Sequence, residues 1–197
     1  MEEIVWIYLS SVKKLCPNIS ETELSYLAKG LTITELKAKH FYIQANIVQE
    51  QIGFVCSGLV RAFYIDKNGN DVTVNFVGEG NYATHYPAFI MKRPSKYYFQ
   101  CLEPSVIVNL SYSHIQDCCE KFPTIEHYIR LLVEEAFTIQ QKRIDGFLFD
   151  NAETRYLDFI KEYPDLFNRV SLSYLCSYLG IERQSLTRIR KKLVQKS

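Results

Sequence analysis

The sequence predicts an α+β chain: an antiparallel β-roll or barrel, then one long helix, then two short helices joined by a tight turn. Three observations carry this. Between Leu31 and Leu110, apolar and polar residues alternate in short runs separated by Gly, Pro and Asn, the pattern of half-buried strands and their turns. From Ser113 the period becomes helical and stays so, with no Pro between Thr124 and Phe149. Finally, Ser171 to Leu193 divides at Gly180 into two amphipathic segments.

The chain has 197 residues, 47% apolar and 14% aromatic, enough for a proper core in one large or two small domains. It contains no run of 18 apolar residues, and its N-terminus lacks the basic and apolar regions of an export signal, so a soluble cytoplasmic protein without membrane contact is expected. In a reducing compartment Cys16, Cys56, Cys101, Cys118, Cys119 and Cys176 are expected as thiols, mostly small buried hydrophobes; the vicinal pair Cys118–Cys119 is the one candidate for metal or oxidant sensing. His40, His85, His114 and His127 are scattered, with neither HxH nor HExxH, so no metal site is expected.

In order, residues 3–15 read as an amphipathic helix, and Ser20 to Glu23 as a capping box opening a second one that ends near Gly30. Strand runs follow at Leu31 to Glu35, Phe41 to Ile43, Ile52 to Cys56, Leu59 to Ile65 and Asp71 to Val77; Asn68-Gly69 between the last two is a hairpin signal. Gly78 and Gly80 interrupt the chain, and Lys96 to Cys101 and Val106 to Leu110 return to strand. Short strands at such spacing suit a small antiparallel roll. Ser113 to Phe122 is a helix closed by Pro123, and Thr124 to Phe149 is the long helix. Within it Ile125, Ile129, Leu132, Ala136 and Ile139 recur at heptad spacing, a candidate homodimer seam; the competing reading packs this stripe on the chain's own barrel. Asn151 caps a helix over residues 152–163, and a short connector leads through Val170. The expected division is therefore 1–122 for the sensor roll with its N-terminal helices, 123–149 for the dimerisation helix, and 150–197 for the terminal helices.

Those terminal helices carry the chemistry. Ser171 caps the first, whose Leu172, Leu175 and Leu179 form one stripe, and Gly180 supplies the left-handed turn residue. On the second, expected over residues 183–196, Leu186, Ile189 and Leu193 share one face. At about 100° per residue, Gln184, Thr187, Arg188 and Lys191 lie opposite, flanked by Arg183 and Lys192. Arg and Gln are the side chains that read guanine and adenine edges in a major groove, and Lys holds phosphate. Two helices joined by a Gly turn are the helix-turn-helix pattern, whose second helix enters the groove. Of 23 Lys and Arg, six fall between Arg183 and Ser197, where there is no acidic residue; the rest of the chain is net acidic. Attraction to double-stranded DNA is thereby confined to one element, as suits a site-specific reader.

This order of parts resembles the Crp/Fnr family of bacterial transcription regulators, over roughly residues 20–195. The residues that carry the resemblance are Ser57 to Arg61, Tyr64, Gly69, Phe76, Gly78 and Gly80, and then Leu175 to Ile189 with Gly180, Arg183, Gln184 and Arg188. The resemblance implies a homodimer joined along the long helix, a recognition helix in each major groove, RNA polymerase as a partner, an effector pocket in the barrel and no enzymatic activity. Arg183, Gln184 and Arg188 fall where the family carries base-contacting residues, and with Thr187, Lys191 and Lys192 of the same face and the cap Ser171 they make the expected DNA-binding set. The resemblance places His85, Tyr86, Arg93, Ser95, Lys96 and Tyr97 about the effector.

The chain departs from the family there. Family members that bind cyclic nucleotides have Gly-Glu-Leu where this chain has Thr84-His85-Tyr86, and Arg-Ser or Arg-Thr near its Arg93 to Lys96. Without the carboxylate the ribose loses its acceptor, so neither cyclic AMP nor cyclic GMP is expected, and no cofactor is assigned. Tyr82, Tyr86, Tyr97 and Tyr98 are candidates either for the pocket of another small molecule or for core filling. An iron–sulfur cluster is not expected either, since the subfamily that has one gathers its cysteines at the N-terminus, where only Cys16 stands. The β-wing that follows the family's recognition helix is expected to be short or absent. The alternative function is a ligand-sensing module whose helical tail binds protein rather than DNA.

Overall fold

A computed structural model of the chain describes residues 2–194. Gln195 and Lys196, the last two positions of the expected helix 183–196, lie outside the described residues.

Two helices lead the chain, α1 (Glu2–Leu15) and α2 (Glu21–Ala28). The Ser20 capping box forms: Ser20 Oγ accepts from the Glu23 amide, and Glu23 accepts in return from the Ser20 amide at 2.7 Å. Strands β1 (Leu31–Leu36), β2 (Phe41–Ile43), β3 (Gln51–Ser57), β4 (Val60–Ile65), β5 (Asp71–Val77), β6 (Tyr82–Ala83), β7 (Tyr98–Cys101) and β8 (Ser105–Ser111) follow, with helix α3 (Tyr86–Ile90) between β6 and β7. They make two four-stranded antiparallel sheets, β1-β8-β3-β6 and β2-β7-β4-β5, closed face to face as a roll. β6 and α3 fall in the stretch the sequence leaves unassigned, because two residues of strand and five of helix are too short for a period to show.

Strands β3 and β8 are buried on both faces. Val55 and Ile107 point into the roll with Ile43, Val60, Ala62, Val77 and Phe99, while Ile52, Phe54, Val108 and Leu110 meet the helices outside. That outer layer consists of α1, α2, α4 (Tyr112–Lys121) and the first turns of α5 (Pro123–Phe149). The competing reading of the long-helix stripe therefore holds for its N-terminal part. Ile125 is fully buried in the chain's own core, which removes it from the expected homodimer seam, and Ile129 and Leu132 pack partly on the same core. Beyond Leu132 the helix stands clear: Ala136 and Ile139 are exposed, as are Phe137, Ile144 and Leu148.

The C-terminal part comprises α6 (Ala152–Glu162), α7 (Pro164–Arg169), α8 (Leu172–Leu179) and α9 (Arg183–Val194). The expected connector before Val170 is thus itself helical; Pro164 opens α7, where its missing N–H is no loss. Nor is this part separate from the roll. Its core of Tyr156, Phe159, Leu175, Leu179 and Leu186 is continuous with Leu59 and Phe76 on the outer face of the second sheet. Among the described residues no strand follows α9, and no helix is long and apolar enough to cross a membrane.

Candidate nucleic-acid interface and ligand cradle

The turn between α8 and α9 has the geometry its sequence dictates. Gly180 sits at φ 62°, ψ 41°, and the Ile181 amide closes back on Cys176 O at 3.0 Å. A Cβ at Gly180 would lie 3.0 Å from Phe147 of α5, so the turn is seated against the end of the long helix. Ser171 caps α8, its hydroxyl accepting from the Tyr174 amide at 3.2 Å.

Leu186 is fully buried, and Ile189 and Leu193 pack on the same core. Arg183, Gln184, Thr187, Arg188, Lys191 and Lys192 are therefore left together in solvent, and all six are exposed. Three of them already have neighbours. Thr187 Oγ1 donates to Arg183 O at 2.9 Å, Arg188 Nη2 to Ser185 Oγ at 3.2 Å, and Lys192 Nζ to Glu153 Oε2 at 2.7 Å. Other arginines nearby serve the fold. Arg155 donates to Leu179 O and Asp150 O, and Arg143 donates to Tyr178 O while lying over the Tyr178 ring.

In the barrel, His85, Ser95 and Tyr97 are brought together and bond to one another. The His85 ring lies 4.6 Å from that of Tyr97. Its Nδ1 accepts from the Lys96 amide at 3.2 Å, with Ser95 Oγ at 3.3 Å. Ser95 is buried and donates to Tyr97 O at 2.8 Å. Gln49, a residue the sequence gives no reason to single out, holds both Thr84 Oγ1 and the His85 amide through its side chain. Burial, and then the Lys96 charge, lower the His85 pKa from its ordinary value.

Arg93 and Tyr86 do not join this group. Arg93 is exposed, with no side-chain hydrogen bond or ion pair among the described residues, and Tyr86 is partly exposed on α3. Lys96 and Tyr97 instead line an open depression of about 420 Å³ with Ala45, Asn46, Tyr64, Ile65 and Tyr98. Among the described residues no group of His, Cys, Asp or Glu is placed to hold a metal. Cys118 is buried beside Asp117 and Cys119, and burial first and those neighbours second push its thiol up to about 11. Its neighbour Cys119 is half-buried, and neither thiol is in a disulfide.

Sequence reasoning missed the residues that join the two halves. Arg61 was legible only as part of a motif. In the structure it is fully buried, stacked between Phe63 and Tyr174 at 4.3 and 3.8 Å, and it donates to Thr73 Oγ1 and Asp71 Oδ2. Ser177 of α8 accepts from the Thr73 amide at 2.8 Å. Arg169 of α7 pairs with Glu79 and Glu103, and Glu79 also accepts from the Gly58 amide. Gly58 is at φ 98°, and a Cβ there would come within 2.6 Å of Pro104 O.

Residues 33–122 match the family model of the cyclic nucleotide-binding domain. No curated protein matches the sequence. Among solved structures, FixK2 from Bradyrhizobium japonicum superposes with a TM-score of 0.72 at 11% identity, covering 84% of this chain and 85% of its own. The c-di-GMP-responsive global regulator CLP of Xanthomonas campestris gives 0.72 at 14% identity, over 90% of this chain and 93% of its own. A CooA variant from Carboxydothermus hydrogenoformans gives 0.68 at 14%, over 91% and 81%. Identities this low establish a shared fold.

Proposed function

We propose that this chain, which carries a cyclic nucleotide-binding domain over residues 33–122 and shares the fold of the Crp/Fnr regulators, is a sequence-specific, dimeric DNA-binding transcription regulator. The observation that carries this is α9, whose apolar stripe is buried while Arg183, Gln184, Thr187, Arg188, Lys191 and Lys192 share one exposed face. A helix so arranged, held behind by a first helix and a Gly turn, fits a major groove.

The exposed apolar residues of α5 beyond Leu132 supply the surface for a second copy, which would set two recognition helices on two half-sites. RNA polymerase is the expected partner on DNA. The barrel is the sensor, and its effector is something other than a cyclic nucleotide. Two features support that: His85 stands where the ribose would need a carboxylate, and His85, Ser95 and Tyr97 already satisfy one another.

Selection of bound sites from random double-stranded DNA tests the reading, followed by affinities for selected and random duplexes at several salt concentrations. A site-specific reader yields one enriched, two-fold symmetric motif and a steep salt slope from counterion release. No enrichment and a flat slope would overturn it, in favour of a helical tail that binds protein.

A further inference from the structure

We propose that the open depression between the end of β4, the β2–β3 loop and the start of β7 is a binding site for a small planar aromatic acid. As an effector site it rests on the regulator reading; as a binding site it stands on its own geometry. Its volume of about 420 Å³ is within the range of ligand sites and large enough for one or two fused rings. It lies beside the cradle, not in it: neither His85 nor Ser95 lines it, and both are already engaged with their neighbours.

Three tyrosines form its aromatic side. The rings of Tyr64 and Tyr97 lie 6.4 Å apart, inclined at 53°. Tyr97 is backed by the His85 ring at 4.6 Å and Tyr98 by Phe63 at 5.2 Å, so both are held from behind, while Tyr64 is 37% exposed at the rim. A flat ring gains specific contact with another at centroid separations of about 4.5–7 Å, which a saturated body does not. None of the three hydroxyls has a hydrogen-bond partner among the described residues, so core filling alone does not account for them.

The polar side is cationic. Among the described residues the Lys96 ammonium makes no ion pair and the Asn46 side chain no hydrogen bond, although both backbones are fixed. The Lys96 amide donates to His85 Nδ1 at 3.2 Å, and Asn46, at φ 68°, donates its backbone amide to Ser95 O at 2.8 Å. No carboxylate is at hand to answer Lys96. The stretches between Glu35 and Glu50 and between Glu79 and Glu103 contain no Asp or Glu, yet hold Lys37, Lys39, Lys92, Arg93 and Lys96. They are paired with each other, β2 with β7 and Val48 with Pro94. On the β4 side Asp66 follows Ile65, and its carboxylate accepts the amides of Asn68 and Asn70 within its own hairpin.

One ammonium, one amide and three phenols beside exposed rings offer mostly donors, and so select an anion with a flat apolar body. Inorganic phosphate would meet the Lys96 charge and leave the rings uncovered. An uncharged arene would cover the rings and leave Lys96 without a counter-ion. An aromatic carboxylate answers both. Bound here it would touch Tyr97 and Lys96, whose ring and amide respectively contact His85, and would thereby adjoin the cradle.

The test titrates the full chain by calorimetry with indole-3-carboxylate. Beside it run its uncharged carboxamide, cyclohexanecarboxylate, which lacks a flat ring, and inorganic phosphate. The aromatic acid should saturate with a Kd of about 1 mM or tighter, which about 12 heavy atoms in an open site allow. The other three should bind at least about fivefold more weakly, each having lost the charge or the ring contact. Lys96→Gln and Tyr64→Leu should each weaken the acid roughly three- to tenfold, and Arg93→Gln should leave it unchanged. Equal binding of the carboxamide, the saturated acid or phosphate overturns the proposal. So does unchanged affinity in both Lys96→Gln and Tyr64→Leu, with circular dichroism confirming their fold, or a loss confined to Arg93→Gln. Affinity for the selected DNA site is measured alongside. If the acid does not bind while that site is still recognised, the binding site fails and the regulator reading stands. If the acid binds and no DNA sequence is recognised, the regulator reading fails and the binding site stands.

Discussion

Lys192 Nζ lies 2.7 Å from Glu153 Oε2, so a cation of α9 is held by the first turn of α6. Lys192 is half exposed and Glu153 about a third exposed, so the pair is well screened and contributes at most about 1 kcal/mol. It must nevertheless open before Lys192 can meet a phosphate. Glu153→Gln should therefore tighten specific and random DNA by the same factor, roughly two- to fivefold. Affinities for both duplexes at two or more salt concentrations check this. An unchanged affinity for random DNA would mean that Lys192 does not hold phosphate.

The second prediction concerns the dimer. Leu132 packs partly on its own subunit, so a charge there would damage the fold as well as any interface. Phe137 is 69% exposed in the subunit and Ile144 51% exposed, and neither contributes to the core clusters. Phe137→Glu should leave the subunit folded and shift it to monomer, because an uncompensated buried charge costs about 3–5 kcal/mol. Sedimentation and circular dichroism together check it. A dimer as stable as the parent's moves the seam off this helix.

What was legible in the sequence, and what was not, follows from the range of the forces involved. Gly180 and the stripe Leu186, Ile189, Leu193 announced two helices joined at a glycine turn, because capping and amphipathicity are local; the turn and the buried stripe are as expected in the structure. Asn68-Gly69 announced the β4–β5 hairpin for the same reason; Asp66 closes it by accepting the amides of Asn68 and Asn70. Heptad spacing, by contrast, says only that one face of α5 is apolar. It cannot say whether that face meets the chain itself or a second copy, and the structure divides it near Leu132.

The junction of Arg61, Asp71, Thr73, Tyr174 and Ser177 was hidden for a different reason. These residues are about 100 positions apart and join two elements through one hydroxyl and one stacked ring, which no spacing rule encodes. Arg61 on an otherwise apolar strand was the available signal, since a lone cation there requires partners from elsewhere. Of the residues expected about an effector, His85, Ser95 and Tyr97 meet one another, while Arg93, expected there by likeness to the family's phosphate-binding arginine, lies apart in solvent.

The cradle gives the third prediction, a pH dependence with its sign. Nδ1 of His85 accepts the Lys96 amide, so the neutral ring carries its proton on Nε2. Burial and Lys96 lower its pKa in the fold. In the unfolded chain, with a pKa of about 6.5, this histidine binds more protons than in the folded one over the interval between the two values. Stability is therefore fully present above about pH 6.5 and is lost as pH falls through the lowered folded value. NMR titration should place the His85 midpoint below about 6.5, the ordinary histidine value, and His85→Gln should flatten the acid side of the stability curve. A midpoint at or above that value would contradict the assignment. In the same experiments cyclic AMP and cyclic GMP should leave the His85 signal unmoved at micromolar concentrations, since their ribose hydroxyls would be buried without an acceptor at about 1–3 kcal/mol per group. A low-micromolar constant by calorimetry for either nucleotide would restore the cyclic-nucleotide reading.

The last prediction separates reading from holding on α9. Arg188 stands mid-helix on the exposed face, restrained among the described residues by a 3.2 Å contact to Ser185, and its planar fork suits a guanine edge. Lys191 and Lys192 follow almost a turn later as point charges. A good bidentate base contact contributes about 1–3 kcal/mol of discrimination, a factor of roughly 5 to 150. Arg188→Ala should therefore weaken the selected site by that factor while binding random DNA nearly as before. Lys191→Ala should weaken both alike and lower the salt slope by about one unit. The comparison requires both duplexes at several salt concentrations, because one affinity at one ionic strength mixes the two roles. If Arg188→Ala reduces both affinities by the same factor, Arg188 is a phosphate anchor and base reading passes to Arg183 and Gln184. If neither substitution has an effect, the charged face of α9 serves only solvation, and the regulator reading falls.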